Sequence, residues 1–271
     1  MPRFAANLST MYPDVDFLDR FGAAAADGFA AVECQFPYAW PAADVAARLA
    51  DHGQRQVLIN TPLGRVGDAA PAERGLPCQP GPAAALRAGV HHALDYAAAL
   101  GCARIHVMSG TAPAGVARER LVDTIVDNLR WAGDRAADAG VTLVVEPLNP
   151  RDNPGYFLQR QADAHAIVAT VGSPAVKVML DLYHCQIVEG DLATALRRDL
   201  PSGRVGHLQI AGVPERHEPD VGEIRFPYLL DLIDALGWDG FVGCEYRPRD
   251  RGPGGTSRGL GWLHAFRAAR S

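Results

Sequence analysis

Short apolar runs recur along the chain, and each is followed by a longer stretch whose apolar residues return at helical spacing. The runs are "RFAANLS" (3–9), "AVECQF" (31–36), "QVLIN" (56–60), "RIHVMSG" (104–110), "TLVVEPL" (142–148), "VKVMLDL" (176–182), "VGHLQIA" (205–211) and "FVGCEY" (241–246). The spacing predicts helices over about 15–27, 41–52, 82–100, 116–139, 158–171, 191–199, 226–236 and 257–269. Glycines at 28, 53, 101, 140, 172 and 237 stand where helices give way to strands, as expected of a residue that accepts positive φ past a helix end. Continuous apolar runs suit strands buried on both faces. Eight strand–helix units predict parallel strands with helical crossovers, closed into a single (β/α)8 TIM barrel over 1–271. A doubly wound open sheet is the alternative, but its usual GxGxxG after the first strand is absent. The longest irregular stretch, 64–85, follows the third strand and reads as an extended loop over the active-site face.

Against this pattern "VVEPLN" (144–149) is an anomaly, because Glu146 interrupts a run that asks for an apolar interior. It is not alone. The sixth strand ends with Asp181, the seventh carries Gln209 near its end, and the eighth ends with Glu245. In a barrel all strands open at their carboxyl ends on one face, where active sites are built. Each residue has a plainer reading alone: a rim salt bridge for Glu146 and Glu245, a cap for Asp181, a backbone-bonded amide for Gln209. Four oxygen donors at the same end of four consecutive strands argue for one site. Three carboxylates packed together repel, and a divalent cation removes the conflict. An oxygen-only ligand set points to a hard ion, Mg2+ or Mn2+.

His184, three residues past Asp181, is expected to donate to the substrate beside the metal. His106 reads as a core histidine or a pocket residue, and His207, in phase with Gln209, as a group beneath the site. Arg216 is the candidate for a bidentate substrate carboxylate, against a solvated charged loop, with Arg65, Lys177 and Arg247 behind it. Phe36, Tyr38, Trp40 and Phe157 are pocket-wall or packing aromatics. Two carboxylates flanking a metal can move a proton between adjacent carbons of an α-hydroxy-carbonyl compound through an enediolate, which is aldose–ketose isomerisation and needs no redox cofactor.

Composition narrows the partners. The 271 residues are 48% hydrophobic and 21% charged, enough for a full core, and the net charge of −5 argues against nucleic acid. Cys34, Cys78, Cys102, Cys185 and Cys244 form no CxxC pair and read as reduced thiols of a cytoplasmic protein. No run is long enough for a transmembrane helix, and the start "MPRFAANLSTMYPD" reads as the beginning of the fold. The expected partner is a small hydroxy or keto acid; a homo-oligomer is neither required nor excluded.

With these residues in place, the chain resembles a known family, the hydroxypyruvate isomerases within the xylose isomerase-like TIM barrels. The likeness runs through "RFAANLS", "GFAAVECQFPY", "ERG" with "PG" in the long loop, "TAPAG", "VVEPLN", "DLYHCQ", "GHLQIA", "EPDVGEI", "GCEYRP" and "GLGW", nearly the whole chain. It implies interconversion of hydroxypyruvate and tartronate semialdehyde, with Glu146 and Glu245 as the acid–base pair and Glu146, Asp181, Gln209 and Glu245 as metal ligands. Related barrels often carry histidine where Gln209 stands. The 2-oxo-tetronate isomerases, which act on a four-carbon acid, look much the same. "EPLN" and "GHLQIA" lean to the first group, "HVMSG" and "RHEPD" to the second. Other classes on such a fold are a metal-dependent abasic-site endonuclease and a non-catalytic sugar-acid-binding protein.

Overall fold

A computed structural model describes residues 1–67 and 74–270. Eight parallel strands close in chain order into one barrel: β1 (Arg3–Asn7), β2 (Ala31–Glu33), β3 (Arg55–Asn60), β4 (Arg104–His106), β5 (Thr142–Val145), β6 (Val176–Asp181), β7 (Val205–Ile210) and β8 (Phe241–Cys244). The helices are α1 (Arg20–Ala26), α2 (Ala42–Asp51), α3 (Ala83–Leu100), α4 (Arg118–Asp138), α5 (Gln161–Val171), α6 (Leu182–Val188), α7 (Leu192–Asp199), α8 (Phe226–Ala235), α9 (Gly255–Gly259) and α10 (Gly261–Ala268). The expected (β/α)8 architecture is the one observed. Strands stop earlier than their apolar runs, because the ladder ends where the inward residues turn polar and the backbone leaves for a loop. One α-helix was not expected: α6 begins inside "DLYHCQ", at the last residue of the run read as strand. Asp181 starts it, its Oδ1 accepting from the Tyr183 N–H at 2.8 Å.

The outer core lies between the barrel and its helices. On α2 the buried residues Val45 and Leu49 are four apart, one apolar stripe against the barrel. Phe4 of β1 meets Trp262 and Phe266 of α10 edge-on at 5.4 and 5.7 Å. That contact ties the first strand to the last helix, each aromatic pair worth about 1 kcal/mol beyond its area.

Inside the barrel the layers follow the period of two. The floor holds Ala5, Ala31 and Val57 beside Phe241. Leu58, Val144 and Met179 form a second apolar patch. Two residues further along these strands, the same inward face carries Asn7, Glu33, Glu146 and Asp181. Register shifts at Val32/Glu33 and Val178/Met179 set the partners of this polar layer, bringing Leu58 opposite Glu33 and Gln209 opposite Asp181.

Gly243 of β8 makes room for it. A Cβ there would lie 2.4 Å from Glu33 Oε2 and 2.5 Å from Oε1. No real side chain fits unless the buried carboxylate moves. Gly243→Ala is therefore expected to cost about 1–3 kcal/mol, the range for an overpacked interior. Urea unfolding of the variant checks this; a wild-type midpoint would mean that Glu33 has somewhere else to go.

Candidate active site

The carboxyl end of the barrel carries a buried polar layer. Asn7, Glu33, His106 and Asp181 close β1, β2, β4 and β6; Gln209 is the penultimate residue of β7; Glu146 and Glu245 directly follow β5 and β8. All are within a few per cent of full burial. The layer divides into two groups that differ in how far their oxygens are satisfied.

Glu33 and Glu245 form the saturated group. Asn7 Nδ2 donates to Glu33 Oε1 at 2.9 Å and to Glu245 Oε2 at 3.2 Å. Gln209 Nε2 does the same at 2.7 and 2.6 Å. Glu245 Oε1 accepts from Gln35 Nε2 at 2.9 Å and from Arg216 Nη2 at 2.7 Å. His207 Nε2 lies 2.7 Å from Glu33 Oε2 and donates to it. These charge-assisted bonds fix both carboxylates and leave Glu245 two donors on each oxygen. Burial pushes the pKa of Glu245 up to about 7, with Glu33 and Asp181 adding repulsion and Arg216 pulling the other way.

Glu146, Asp181 and His184 form the open group. One ligand atom from each lies within 4.8 Å of the others. His184 Nε2 is 3.7 Å from Asp181 Oδ2 and 4.0 Å from Glu146 Oε1; His106 Nδ1 is 3.6 Å from Glu146 Oε2. Among the described residues Glu146 Oε1, Asp181 Oδ2 and Gln209 Oε1 are buried oxygens with no hydrogen-bond partner. Burial, then repulsion from Asp181 and Glu245, holds the Glu146 carboxyl well above the usual carboxylate range. Burial also lifts Asp181, to about 6, against the pull of Arg216.

Burial favours the neutral form of two histidines in this end, His184 and His106. Burial, then Arg216, holds His184 well below its ordinary value; burial, then His207, holds His106 down at about 3. His184 Nδ1 accepts from the Asn149 N–H at 3.0 Å, so the proton of its neutral ring sits on Nε2, facing the acids. His184 is thereby a donor to any oxygen placed between the two carboxylates. His106, expected as a core or a pocket residue, lines the cavity.

Arg216 joins the two groups. Its Nη2 bonds Glu245 Oε1 and stands 3.7 Å from Asp181 Oδ2. Burial works against its charge, but Glu245, Asp181 and Glu146 outweigh it and raise its pKa further. The residue takes φ 61°, a left-handed conformation that a non-glycine residue rarely adopts, and is held there by Arg216 N→Gly212 O and Arg247 N→Arg216 O, each 2.8 Å.

A cavity of about 370 Å³ opens above this layer, lined by Glu146, Glu245, His106 and His184 below and by Phe36 and Arg74 at the sides. A second, of about 460 Å³, lies beyond Gln35, Arg216 and Glu245 and carries Arg20, Arg247 and Arg251. Of the four aromatic wall candidates, only Phe36 reaches the first cavity. Trp40 stacks on Phe17 at 4.1 Å, Tyr38 meets Tyr96 edge-on, and Phe157 lies under Arg118. Lys177 lies far from the acids, beside Gly203 and Arg204 at the amino end of the barrel.

The residues expected from the sequence therefore converge, with two changes. Glu245 sits with Glu33 and a set of donors rather than open beside Glu146, and Arg216 is already paired with two carboxylates. Glu33, Asn7 and Gln35 were not anticipated. Glu33 had a readable signal, an acid ending an apolar run as in "VVE" and "GCE".

Comparison with known proteins agrees with this fold. Residues 21–266 match the family described as xylose isomerase-like TIM barrel. The chain is 55% identical over 266 residues to the 2-oxo-tetronate isomerase of Cupriavidus necator, covering 98% of this chain and 99% of that protein. It is 39% identical over 267 residues to the hydroxypyruvate isomerase of Escherichia coli, covering 98% and 100%. Among solved structures, a Brucella melitensis protein described as AP endonuclease, family 2, superposes with a TM-score of 0.92 at 46% identity, covering 98% and 99%.

The arrangement generates one prediction of its own. Glu33 is the acceptor for Asn7, Gln209 and His207 at once. Glu33→Leu leaves His207 Nε2 buried without its carboxylate and is expected to cost roughly 3–5 kcal/mol, the range for breaking a buried charged network. Thermal and urea unfolding check this; a loss below about 1 kcal/mol would mean the network carries little of the stability.

Proposed function

The chain belongs to the xylose isomerase-like TIM barrel family, and from that membership we propose that it isomerises a short 2-oxo sugar acid, the four-carbon 2-oxo-tetronate. The observation that carries the reading is the set of buried oxygens left unpartnered at one end of the barrel: Glu146 Oε1, Asp181 Oδ2 and Gln209 Oε1. Leaving three such atoms unbonded is costly unless something else meets them. They fit a hard divalent cation, Mg2+ or Mn2+, held by Glu146, Asp181 and Gln209. Glu245, the fourth expected ligand, has donors on both oxygens and joins only if one is released. When bound, the cation supplies positive charge beside the oxygens on which negative charge develops.

The reaction moves a carbonyl from C2 to C3. A base takes the proton from C3, the electron pair forms the C2–C3 double bond of an enediolate, and a proton returns to C2 while the hydroxyl proton passes from O3 to O2. Glu146, with one oxygen free and its pKa raised, is suited to take up and return a proton at one carbon. Glu245 serves the other carbon and is oriented by Arg216, Gln35, Gln209 and Asn7. His184 donates its Nε2–H to the substrate oxygen.

Relatives support the four-carbon acid, since the 55% identical protein bears that name while the hydroxypyruvate isomerase of E. coli is 39% identical. Hydroxypyruvate is the second reading: the same C2-to-C3 transfer applies to it, one hydroxymethyl group shorter. The name of the Brucella protein raises abasic DNA as a substrate. The acid-lined cavity of about 370 Å³ and the net charge of −5 support a small molecule instead.

Turnover of purified protein on 2-oxo-tetronate and on hydroxypyruvate, with Mn2+ and then with chelator, tests the reading. Faster conversion of the four-carbon acid is expected; turnover of neither would end it. Glu146→Gln and Glu245→Gln should each lower kcat by about 10²–10⁴-fold, the scale of a lost acid–base group, with circular dichroism unchanged. Full activity in either removes that residue from the assignment. Mn2+ should raise the melting temperature of the wild type, by linkage of binding to folding, and leave that of Asp181→Asn unmoved. An equal rise in both would place the ion elsewhere.

A further inference from the structure

A substrate of this class carries a carboxylate, and the cavity is lined by two acids, Glu146 and Glu245, so a cation must receive it. Arg216 was the expected receiver. Its Nη2 is already 2.7 Å from Glu245 Oε1 and 3.7 Å from Asp181 Oδ2. Turning it toward a third carboxylate would leave two buried ones unpaired. The other arginine lining the cavity is Arg74. The hydrogen bond described for its side chain runs from Nη1 to the neutral amide oxygen of Asn153, which leaves its charge uncompensated by that partner.

Arg74 is also built into place. Its backbone takes φ 50°, strained for a residue with a Cβ. The next residue fixes it there. Gly75 donates its N–H to Leu63 O at 2.7 Å, and a Cβ on it would lie 2.1 Å from Met108 O, so only glycine can lie against the end of β4 at this point. Asn153 belongs to the loop after β5, the same loop whose Asn149 N–H fixes His184. One loop thus orients two donors that line the cavity, His184 and Arg74. Strain, a seat on a neutral side chain and an outlook on the acids coincide at one guanidinium.

We infer that Arg74, seated by Asn153, binds the carboxylate of the substrate, a role that rests on the sugar-acid reading of this site. Arg216 stays with Glu245 and Asp181 and holds them in place. Arg74 offers a planar fork that matches a carboxylate in two parallel bonds, and Asn153 engages one of its five N–H groups and leaves the rest.

Calorimetric titration with glycerate, a hydroxy acid that cannot isomerise, tests this on the full chain with Mn2+ present. Glycerol serves as the control without a carboxylate. Arg74→Ala is expected to weaken glycerate by at least about tenfold, the scale of a charge-assisted pair, and to leave glycerol unchanged. Arg74→Lys should recover part of the loss, and Asn153→Ala should show a smaller one. For the sugar acid, KM should rise more than kcat falls, as for an interaction present in both ground and transition state. Wild-type glycerate affinity in a folded Arg74→Ala overturns the inference. So does a loss that appears instead in Arg247→Ala/Arg251→Ala, which would put the anion in the second cavity. Sugar-acid turnover that survives Arg74→Ala with unchanged KM leaves the isomerase standing and removes the anchor. Glycerate binding that depends on Arg74 in a protein that turns over no sugar acid does the reverse.

Discussion

Four carboxylates buried at one end of a closed barrel are the constraint that the rest of the structure answers. Glu33, Glu146, Asp181 and Glu245 are each at most 6% exposed. Like charges so placed cannot all ionise without compensation, and one arginine, Arg216, reaches only Glu245 and Asp181. The protein resolves this in two ways on two sides. Glu33 and Glu245 are surrounded by donors from Asn7, Gln35, Gln209, His207 and Arg216. Glu146 and Asp181 keep one buried oxygen each without a hydrogen bond. Donors were therefore not lacking in this end of the barrel; they are unevenly distributed. The unevenness is what distinguishes a binding site from a polar core.

The fold supplies this distribution through small choices beneath it. Ala5 and Ala31 keep the floor shallow, and Gly243 vacates the volume that the Glu33 carboxylate fills. The register shift between β6 and β7 brings Gln209 opposite Asp181, so its amide can turn Nε2 to two carboxylates and leave Oε1 free. Asp181 divides its labour in the same way, Oδ1 starting α6 and Oδ2 open to the site. Reading it as a cap and reading it as a ligand were offered as alternatives, and the geometry accommodates both on different oxygens.

Much of this was legible in the sequence. All eight strands and the barrel followed from apolar runs and their spacing, because burial on both faces leaves a strong signal. The later part of the fifth to eighth runs located Glu146, Asp181, Gln209 and Glu245. Glu33 escaped because "AVECQF" was read as strand to its end, which hid the acid in mid-run, whereas β2 stops at Glu33. Helix α6 is not legible because its seven residues give too little periodicity to stand out from the exit of the strand read over 176–182. The pairing of Arg216 with Glu245 could not be read at all. It depends on a left-handed turn at Arg216 and on hydrogen bonds to Gly212 and Arg247, long-range facts that no local pattern carries.

The same reasoning bears on how, under the proposed function, this site would take a substrate with its own negative charge. An acid-rich cavity ordinarily repels an anion, and Arg216 cannot change that because its charge is already spent on its neighbours. Attraction has to come from groups that the acids have not claimed. Under the reading proposed above these are a cation on the open oxygens and Arg74 in the lining of the cavity. A neutral sugar would engage only the first. On that reading a 2-oxo acid would engage both and be held at two points. Two fixed points on a chain of three or four carbons leave little freedom for the reacting C–H bond to turn away from its base, which is how positioning contributes to rate. The surplus of carboxylates thus works as a filter, because an anion enters only where a cation waits for it.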